Sequence, residues 1–225
     1  IVNRLMEIAA EEMKCPVEIE FACNLETTPA IFNVLQIRPI SADSLQARVD
    51  WDAIDQTDPL LISESALGTG ELKDVADIVY LRKESFDILR TREIADQIRR
   101  LNDEFRRRGR GYLLIGFGRW GSSIPTLGVP VQWSDISEAR AIVEASLENF
   151  RVDPSQGSHF FQNLTSFNVG YINIDTFARK DECYHQEMLD RLPAEWESEF
   201  VRHVHLDKPM RLVVDGFKSR AFGGL

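Results

Sequence analysis

The sequence predicts an α/β protein made of two parts that are joined by a linker. Its 225 residues are 44% hydrophobic and 28% charged, which is an ordinary composition for a folded globular protein. A helix pattern and a β-hairpin pattern fill residues 1–40, whereas strand patterns alternate with helix patterns through residues 60–225. The acidic, mixed stretch 41–59 lies between them and is the predicted linker.

Charge and cysteine content exclude several classes of protein. The chain has 26 basic and 36 acidic side chains, and a net charge of −10 argues against a general nucleic-acid binder, which needs clustered Lys and Arg. No apolar run approaches the roughly 20 residues that a membrane span needs. Three scattered cysteines do not make a disulfide framework, so we expect a reducing, cytoplasmic location.

The first part is predicted to be a helix followed by a β-hairpin. Apolar residues recur at helical spacing over residues 1–14, and Pro16 ends the helix. Apolar and acidic residues then alternate over 17–21, and a polar turn leads to a second strand over 31–37. Because Ile1 falls in the middle of a helix pattern, we expect the chain to be a fragment whose preceding domain is its partner.

The second part is predicted to alternate strands with helices. The predicted strands are 60–62, 77–81, 112–115, 141–144 and 169–174. The predicted helices are 86–108, 154–167 and 194–202. A closing hairpin is predicted from strands 203–206 and 210–214, with a turn at Asp215-Gly216.

The first hairpin carries polar side chains that suit a magnesium–phosphate site. Glu18 and Glu20 share one face of the first strand, and Gln36 and Arg38 share a face of the second. Facing residues of antiparallel strands lie close together, carboxylates suit Mg²⁺, and the arginine fork suits phosphate oxygens. The spacing alone leaves open the alternative of a solvated polar face.

This hairpin resembles the end of the ATP-grasp domain of phosphoenolpyruvate synthase and pyruvate, phosphate dikinase. The likeness lies in an acidic-x-Glu-aromatic strand followed by a Leu-Gln-x-Arg strand. The resemblance implies that Glu20, Gln36 and Arg38 bind Mg²⁺ and ATP phosphates, with Glu18 as a weaker metal ligand. It implies an ATP-dependent phosphotransferase acting on pyruvate or phosphoenolpyruvate, of which this fragment alone is not expected to bind ATP tightly.

A glycine-rich loop follows the third predicted strand of the second part. Gly116, Gly118 and Gly121 have the spacing of a dinucleotide fingerprint, but the prolines that follow do not continue the helix that it needs. Such glycines also turn backbone N–H groups toward an anion, so Gly118, Arg119 and Gly121 are candidate phosphate-binding residues. The alternative is a structural loop in which Trp120 covers the core.

His159 is the candidate catalytic residue. It lies near the predicted start of helix 154–167, where unpaired N–H groups and the helix dipole favour an anion. The segment loosely resembles the carrier loop of the swivelling phosphohistidine domain in the same family, which implies that His159 carries a phosphoryl group. The alternative is a capped, partly buried histidine in a non-catalytic interaction or regulatory module.

Three further strings resemble the carboxyl-terminal region of bacterial proteins described as pyruvate, phosphate dikinase-like or PEP/pyruvate-binding. They are 118–123, 127–131 and 154–166. The other histidines are expected to have surface or edge roles, because His203 and His205 alternate on a predicted strand and His185 lies in a polar stretch. The arginines at the end of helix 86–108 are expected to form a solvated helix end that complements the helix dipole.

Overall fold

The chain folds into two compact units, Ile1–Ala47 and Arg48–Leu225. They are called here the amino-terminal and carboxyl-terminal units. In the computed structural model, the described residues are 2–13, 17–39, 49–124, 126–154, 164 and 168–225. The predicted helix 154–167, including His159, therefore lies almost entirely outside the described residues.

The amino-terminal unit has the predicted helix and hairpin. Helix α1 is Val2–Met13, and strands β1 (Val17–Asn24) and β2 (Ile31–Pro39) pair antiparallel. Both strands are longer than predicted. The register sets Glu18 opposite Arg38 and Glu20 opposite Gln36, and it shifts between Glu20 and Phe21.

The carboxyl-terminal unit is mixed α/β, with a strongly curled sheet and a few helices, as the sequence predicts. Its helices in the described residues are α2 (Thr91–Arg108) and α3 (Gln186–Asp190). Its strands there are β3 (Pro59–Ser63), β4 (Ala66–Leu67), β5 (Thr69–Leu81), β6 (Tyr112–Phe117), β7 (Arg119–Trp120), β8 (Gly128–Val129), β9 (Ala139–Ala145), β10 (Gly170–Ile174), β11 (Cys183–Tyr184), β12 (Ala194–Glu197), β13 (Val201–Asp215) and β14 (Arg220–Gly224).

Within the described residues, ten of these strands form one sheet with a parallel part and an antiparallel part. The order is β11-β3-β14-β13-β5-β6-β9-β10-β4, and β12 pairs antiparallel with the first residues of β13. Strands β5, β6, β9 and β10 run parallel, and β13, β14 and β3 pair antiparallel. Every residue of β6 is buried, as expected for a parallel strand that is covered on both faces.

Helix α2 packs its apolar stripe into the main core. The stripe is Ile94, Ile98, Leu101 and Phe105, all buried and all part of the predicted pattern. The helix begins at Thr91 rather than at residue 86, because Asp87 accepts a hydrogen bond from the Leu89 N–H and caps a short 3₁₀ turn first. At its other end Gly109 takes the left-handed conformation that commonly closes a helix.

The predictions for residues 194–214 are wrong. Residues 194–197 form strand β12 instead of a helix, and the two strands predicted for the closing hairpin are one strand, β13. Strand β13 pairs with β5 on both sides of residues 206–209, so tertiary pairing keeps a single strand through the local polar break near Lys208. The hairpin forms one step later, between β13 and β14, and the chain turns after Asp215 as predicted.

The predicted linker 41–59 is too long. Trp51 and Ile54 are buried and pack against Val213 and Phe222. The Trp51 Nε1–H donates to Asp215 Oδ2 at 2.8 Å. Residues 49–59 therefore belong to the carboxyl-terminal unit, because an apolar contact and a buried hydrogen bond hold them there.

None of the helices in the described ranges combines the length and the apolar character that crossing a membrane requires.

Candidate functional site

The hairpin β1–β2 brings the predicted nucleotide-site residues together on one face. Glu18 Oε1 lies 2.5 Å from Arg38 Nη2, and both side chains are partly exposed. Glu20 is the direct cross-strand partner of Gln36, one step further along the same face. Two carboxylates, an amide and a guanidinium thus line a short stretch of one β-ribbon.

This face suits a metal only together with a ligand that supplies further oxygens. Within the described ranges, no three His, Cys, Asp or Glu side chains come together as a metal site. Mg²⁺ typically takes one or two protein carboxylates and completes its shell with water and phosphate oxygens. Glu20, with Glu18 two residues away on the same face, fits that pattern, whereas a site built from protein ligands alone does not.

The backbone N–H groups of the glycine loop donate to groups within the protein, one of which is the Glu144 carboxylate. The Trp120 N–H donates to Glu144 Oε1 at 2.9 Å, and the Arg119 and Gly121 N–H groups donate to the carbonyls of Leu127 and Val129 at 2.8 and 2.9 Å. The Arg119 side chain also donates from Nε to the Asp153 carbonyl at 2.8 Å. These donors are committed inside the fold, which favours the structural loop over a phosphate nest.

The glycines of this loop allow a close contact with Trp120 and a left-handed turn. A Cβ on Gly116 would lie 2.2 Å from the indole ring of Trp120, and Gly118 has a φ of +70°, which favours glycine. Trp120 is buried and donates its Nε1–H to the Val143 carbonyl at 3.1 Å. Gly116 therefore makes room for Trp120, whereas Gly118 and Gly121 take the left-handed backbone conformations of the turn.

Glu144 is the internal anion at the centre of this loop. It is buried on β9 and also accepts a hydrogen bond from the Tyr171 hydroxyl, with an oxygen–oxygen distance of 2.6 Å. A buried carboxylate is stable only when donors replace the water that it has lost. Strand β10 and the glycine loop supply those donors, so Glu144 joins three segments of the unit.

A second polar cluster lies where β5 meets β13, and sequence analysis did not predict it. Asp77 Oδ1 accepts from His203 Nε2 at 2.9 Å and lies 3.0 Å from His205 Nδ1, while Oδ2 pairs with Arg110 Nη2 at 2.5 Å. Asp77 and His203 are buried, whereas His205 and Arg110 are each more than one-third exposed. The His-x-His spacing was visible in the sequence, but the partner aspartate is 126 residues away.

The cluster holds Asp77 in its charged form. Burial by itself would raise the pKa of the Asp77 carboxyl, but hydrogen bonds from His203 and His205 and the charge of Arg110 outweigh burial and lower that pKa. The folded state therefore favours the carboxylate more than the unfolded chain does.

A shallow cleft opens beyond the carboxyl ends of β5 and β9. Its volume is about 460 Å³, and its lining is half apolar and half polar: Lys83, Phe86, Asp87, Ile88, Leu147, Glu148, Asn149 and Phe150. Phe86 contacts both Phe117 and Phe150, with ring centroids 5.4 and 5.5 Å apart. Small-molecule sites of α/β proteins often lie beyond the carboxyl ends of parallel strands, but the lining here shows no convergent set of polar groups.

No protein-family model, no curated protein and no solved structure matches this chain. The fold and the hairpin therefore define only a class: a mixed α/β protein with a separate amino-terminal unit that presents carboxylates, an amide and a guanidinium on one ribbon.

Replacing Glu144 by Gln tests the structural role of the glycine loop. The amide offers one acceptor oxygen where the carboxylate offers two, so one donor from Trp120 or Tyr171 loses its partner. We expect the free energy of unfolding to fall by about 2 kcal/mol in urea denaturation. The matched control Glu148→Gln changes an exposed position four residues away and should stay within about 0.5 kcal/mol. Equal stability of the two variants would contradict this role.

Replacing Asp77 by Asn should destabilise the carboxyl-terminal unit in a pH-dependent way. Because the folded-state pKa of Asp77 is lowered, its contribution is complete above the ordinary value of 3.8 and is lost as the pH falls further. We expect a loss of about 2–3 kcal/mol near neutral pH that shrinks below about pH 4. Urea denaturation at several pH values measures it, and a pH-independent loss would show that charge is not the cause.

Proposed function

We propose that this protein is the carboxyl-terminal part of an ATP-dependent phosphotransferase that resembles phosphoenolpyruvate synthase and pyruvate, phosphate dikinase. The supporting observation is the register of β1 and β2, which sets Glu20 opposite Gln36 and Glu18 against Arg38. This is the arrangement that the resemblance to the end of an ATP-grasp domain requires. Pyruvate or phosphoenolpyruvate would be the second substrate.

Each hairpin residue has a distinct role in the proposed site. Glu20 would provide a carboxylate oxygen to Mg²⁺, which neutralises phosphate charge when bound, and Gln36 would donate its amide N–H to a phosphate oxygen. Arg38 would exchange one charged partner, Glu18, for another, the phosphate, and the released Glu18 carboxylate is exposed enough to be solvated by water. Catalysis would rest on positioning and charge neutralisation, as phosphoryl transfer generally does.

The exposed apolar side chains of the amino-terminal unit argue for a partner domain that covers them. Among its described residues, only Ala9 and Val17 are buried hydrophobic residues. The large apolar side chains that it exposes are Met6, Ile8, Met13, Phe21, Leu25, Ile31, Val34, Leu35 and Ile37. One helix and a two-stranded hairpin cannot bury enough apolar area to be stable alone. A preceding domain of the same polypeptide would cover these side chains and complete the nucleotide site.

The carboxyl-terminal unit has two candidate functions. The resemblance of 154–166 to a carrier loop supports a swivelling phosphohistidine domain with His159 as the carrier. The glycine loop supports the alternative, a non-catalytic interaction or regulatory module, because its backbone donors are used within the fold.

ATP binding to a longer protein that includes the preceding domain tests the hairpin site. Glu20→Gln and Arg38→Gln should each weaken Mg·ATP binding at least about tenfold in calorimetry, because each removes a charged contact to the metal or the phosphates. Glu26→Gln removes the same charge from the exposed hairpin loop and should leave affinity unchanged. The hairpin site fails if all three variants bind equally. Micromolar ATP binding by the 225-residue chain alone would contradict the expectation that the preceding domain is needed for tight binding.

Phosphohistidine analysis separates the two functions of the carboxyl-terminal unit. If His159 is the carrier, the longer protein incubated with ATP gains an acid-labile phosphate that mass spectrometry places on His159, and His159→Ala abolishes it. His185→Ala is the matched control, since His185 is exposed and pairs with Glu187. Absence of the phosphate, or its persistence in His159→Ala, would leave the interaction module as the function.

A further inference from the structure

We propose that Arg110 and His205 form a binding site for a doubly charged oxyanion, a phosphate or sulfate group, with Asp77 holding both side chains in place. This site lies in the carboxyl-terminal unit and does not involve the hairpin, so its test is independent of the proposed ATP site. It would take free phosphate or the phosphate group of a small phosphomonoester.

The first support is the way in which a buried carboxylate holds two exposed basic groups side by side. Arg110 Nη2 lies 2.8 Å from His205 Nδ1, and both atoms lie next to the same aspartate. The Asp77 side chain is 3% exposed, whereas Arg110 and His205 are 39% and 36% exposed. The inner edges of the two basic groups are anchored, and their outer edges face solvent.

The second support is that the outer edges carry unused hydrogen-bonding groups. Arg110 uses Nη2 for Asp77 and His205, and in the described part of the chain its Nε and Nη1 have no hydrogen-bond partner. His205 uses Nδ1, and its Nε2 likewise has no partner there. A planar guanidinium with free donors beside an imidazole edge matches the several oxygens of a phosphate.

The third support is the break in the sheet at this point. Asp77 pairs with His205 and Val75 pairs with Met210, so residues 206–209 of β13 stand opposite a single residue of β5. Residues 207–209 are exposed. Irregularities of this kind re-aim side chains and are common beside binding sites. The break therefore sets the exposed segment 207–209 shortly after His205 on β13.

Binding is coupled to a proton, because the neutral imidazole cannot satisfy both neighbours. Its Nδ1 either donates to Asp77 or accepts from Arg110, whereas the protonated ring donates to Asp77 and gains a second N–H at Nε2. Protonation places two cations 2.8 Å apart, and a bound oxyanion relieves that repulsion. The titratable and charged groups that face His205 are Asp77 from β5, Arg110 from the turn before β6, and His203 from its own strand.

Sulfate titration of the 225-residue chain, followed by NMR of the histidine ring nitrogens, tests the site. Sulfate keeps both charges across the neutral range, so any pH effect reports on the protein. We expect a saturable shift at His205 Nε2 with a dissociation constant of about 1–10 mM near pH 6. The affinity should fall as the pH rises, because the neutral imidazole has only one N–H to share between Asp77 and the anion.

Variants distinguish the site from a purely structural network. Arg110→Gln and His205→Gln should each weaken sulfate binding at least about fivefold, whereas Arg107→Gln, at an exposed position on the same helix end, should change it less than about twofold. Arg110→Lys keeps a cation over Asp77, so the unit stays folded, but it loses the planar fork and should still bind more weakly. Thermal unfolding checks that each variant is folded.

Two ligand comparisons complete the experiment. Sodium chloride at equal ionic strength should give no saturable shift, and a phosphomonoester such as phenyl phosphate should compete with sulfate. Tighter binding of the ester than of inorganic phosphate assigns the site to an esterified phosphate, and equal binding assigns it to the free ion. A shift that does not saturate, or one that is equally strong in Arg110→Gln and Arg107→Gln, overturns the site and leaves only a structural network.

Discussion

The antiparallel pairing of β5 with β13 is the contact on which the carboxyl-terminal unit depends. Strand β5 is the boundary at which four parallel strands meet the antiparallel ones, and its long ladder with β13 joins the two parts of the sheet. Asp77 lies in that seam and ties together β5, β13 and the turn that precedes β6. A buried charge held by three partners tolerates few other positions, which fixes the alignment of the two strands.

Buried carboxylates organise this unit more than its sequence motifs do. Glu144 accepts from the glycine loop and from β10, and Asp77 accepts from two histidines and lies against an arginine. In both clusters, groups that the sequence suggests as ligand-binding, the glycine-loop N–H and the two histidines, donate to a carboxylate of the protein itself. In the Asp77 cluster the partly exposed Arg110 and His205 keep unused groups, whereas the backbone N–H groups of Arg119, Trp120 and Gly121 in the glycine loop are all used within the fold.

The amino-terminal unit combines a polar ribbon face with a large exposed apolar surface. The polar face is explained by the ion pair of Glu18 with Arg38 and by the pairing of Glu20 with Gln36. The apolar surface has no such explanation within the described residues of the unit, which bury only two hydrophobic side chains. The described residues of this unit thus leave most of its large apolar side chains exposed.

The sequence by itself determined the elements whose patterns are local. The helix over Val2–Met13, the shared faces of Glu18 with Glu20 and of Gln36 with Arg38, and strand β6 all follow from periodicity within a short window. Tertiary structure alone decided the rest. Strand β12 and the long strand β13 exist because neighbours pair with them, and Asp77 meets His203 across 126 residues of chain. Periodicity reports which face of an element is buried, but not which distant residue lies against it, so the glycine spacing suggested a phosphate where the fold supplies Glu144.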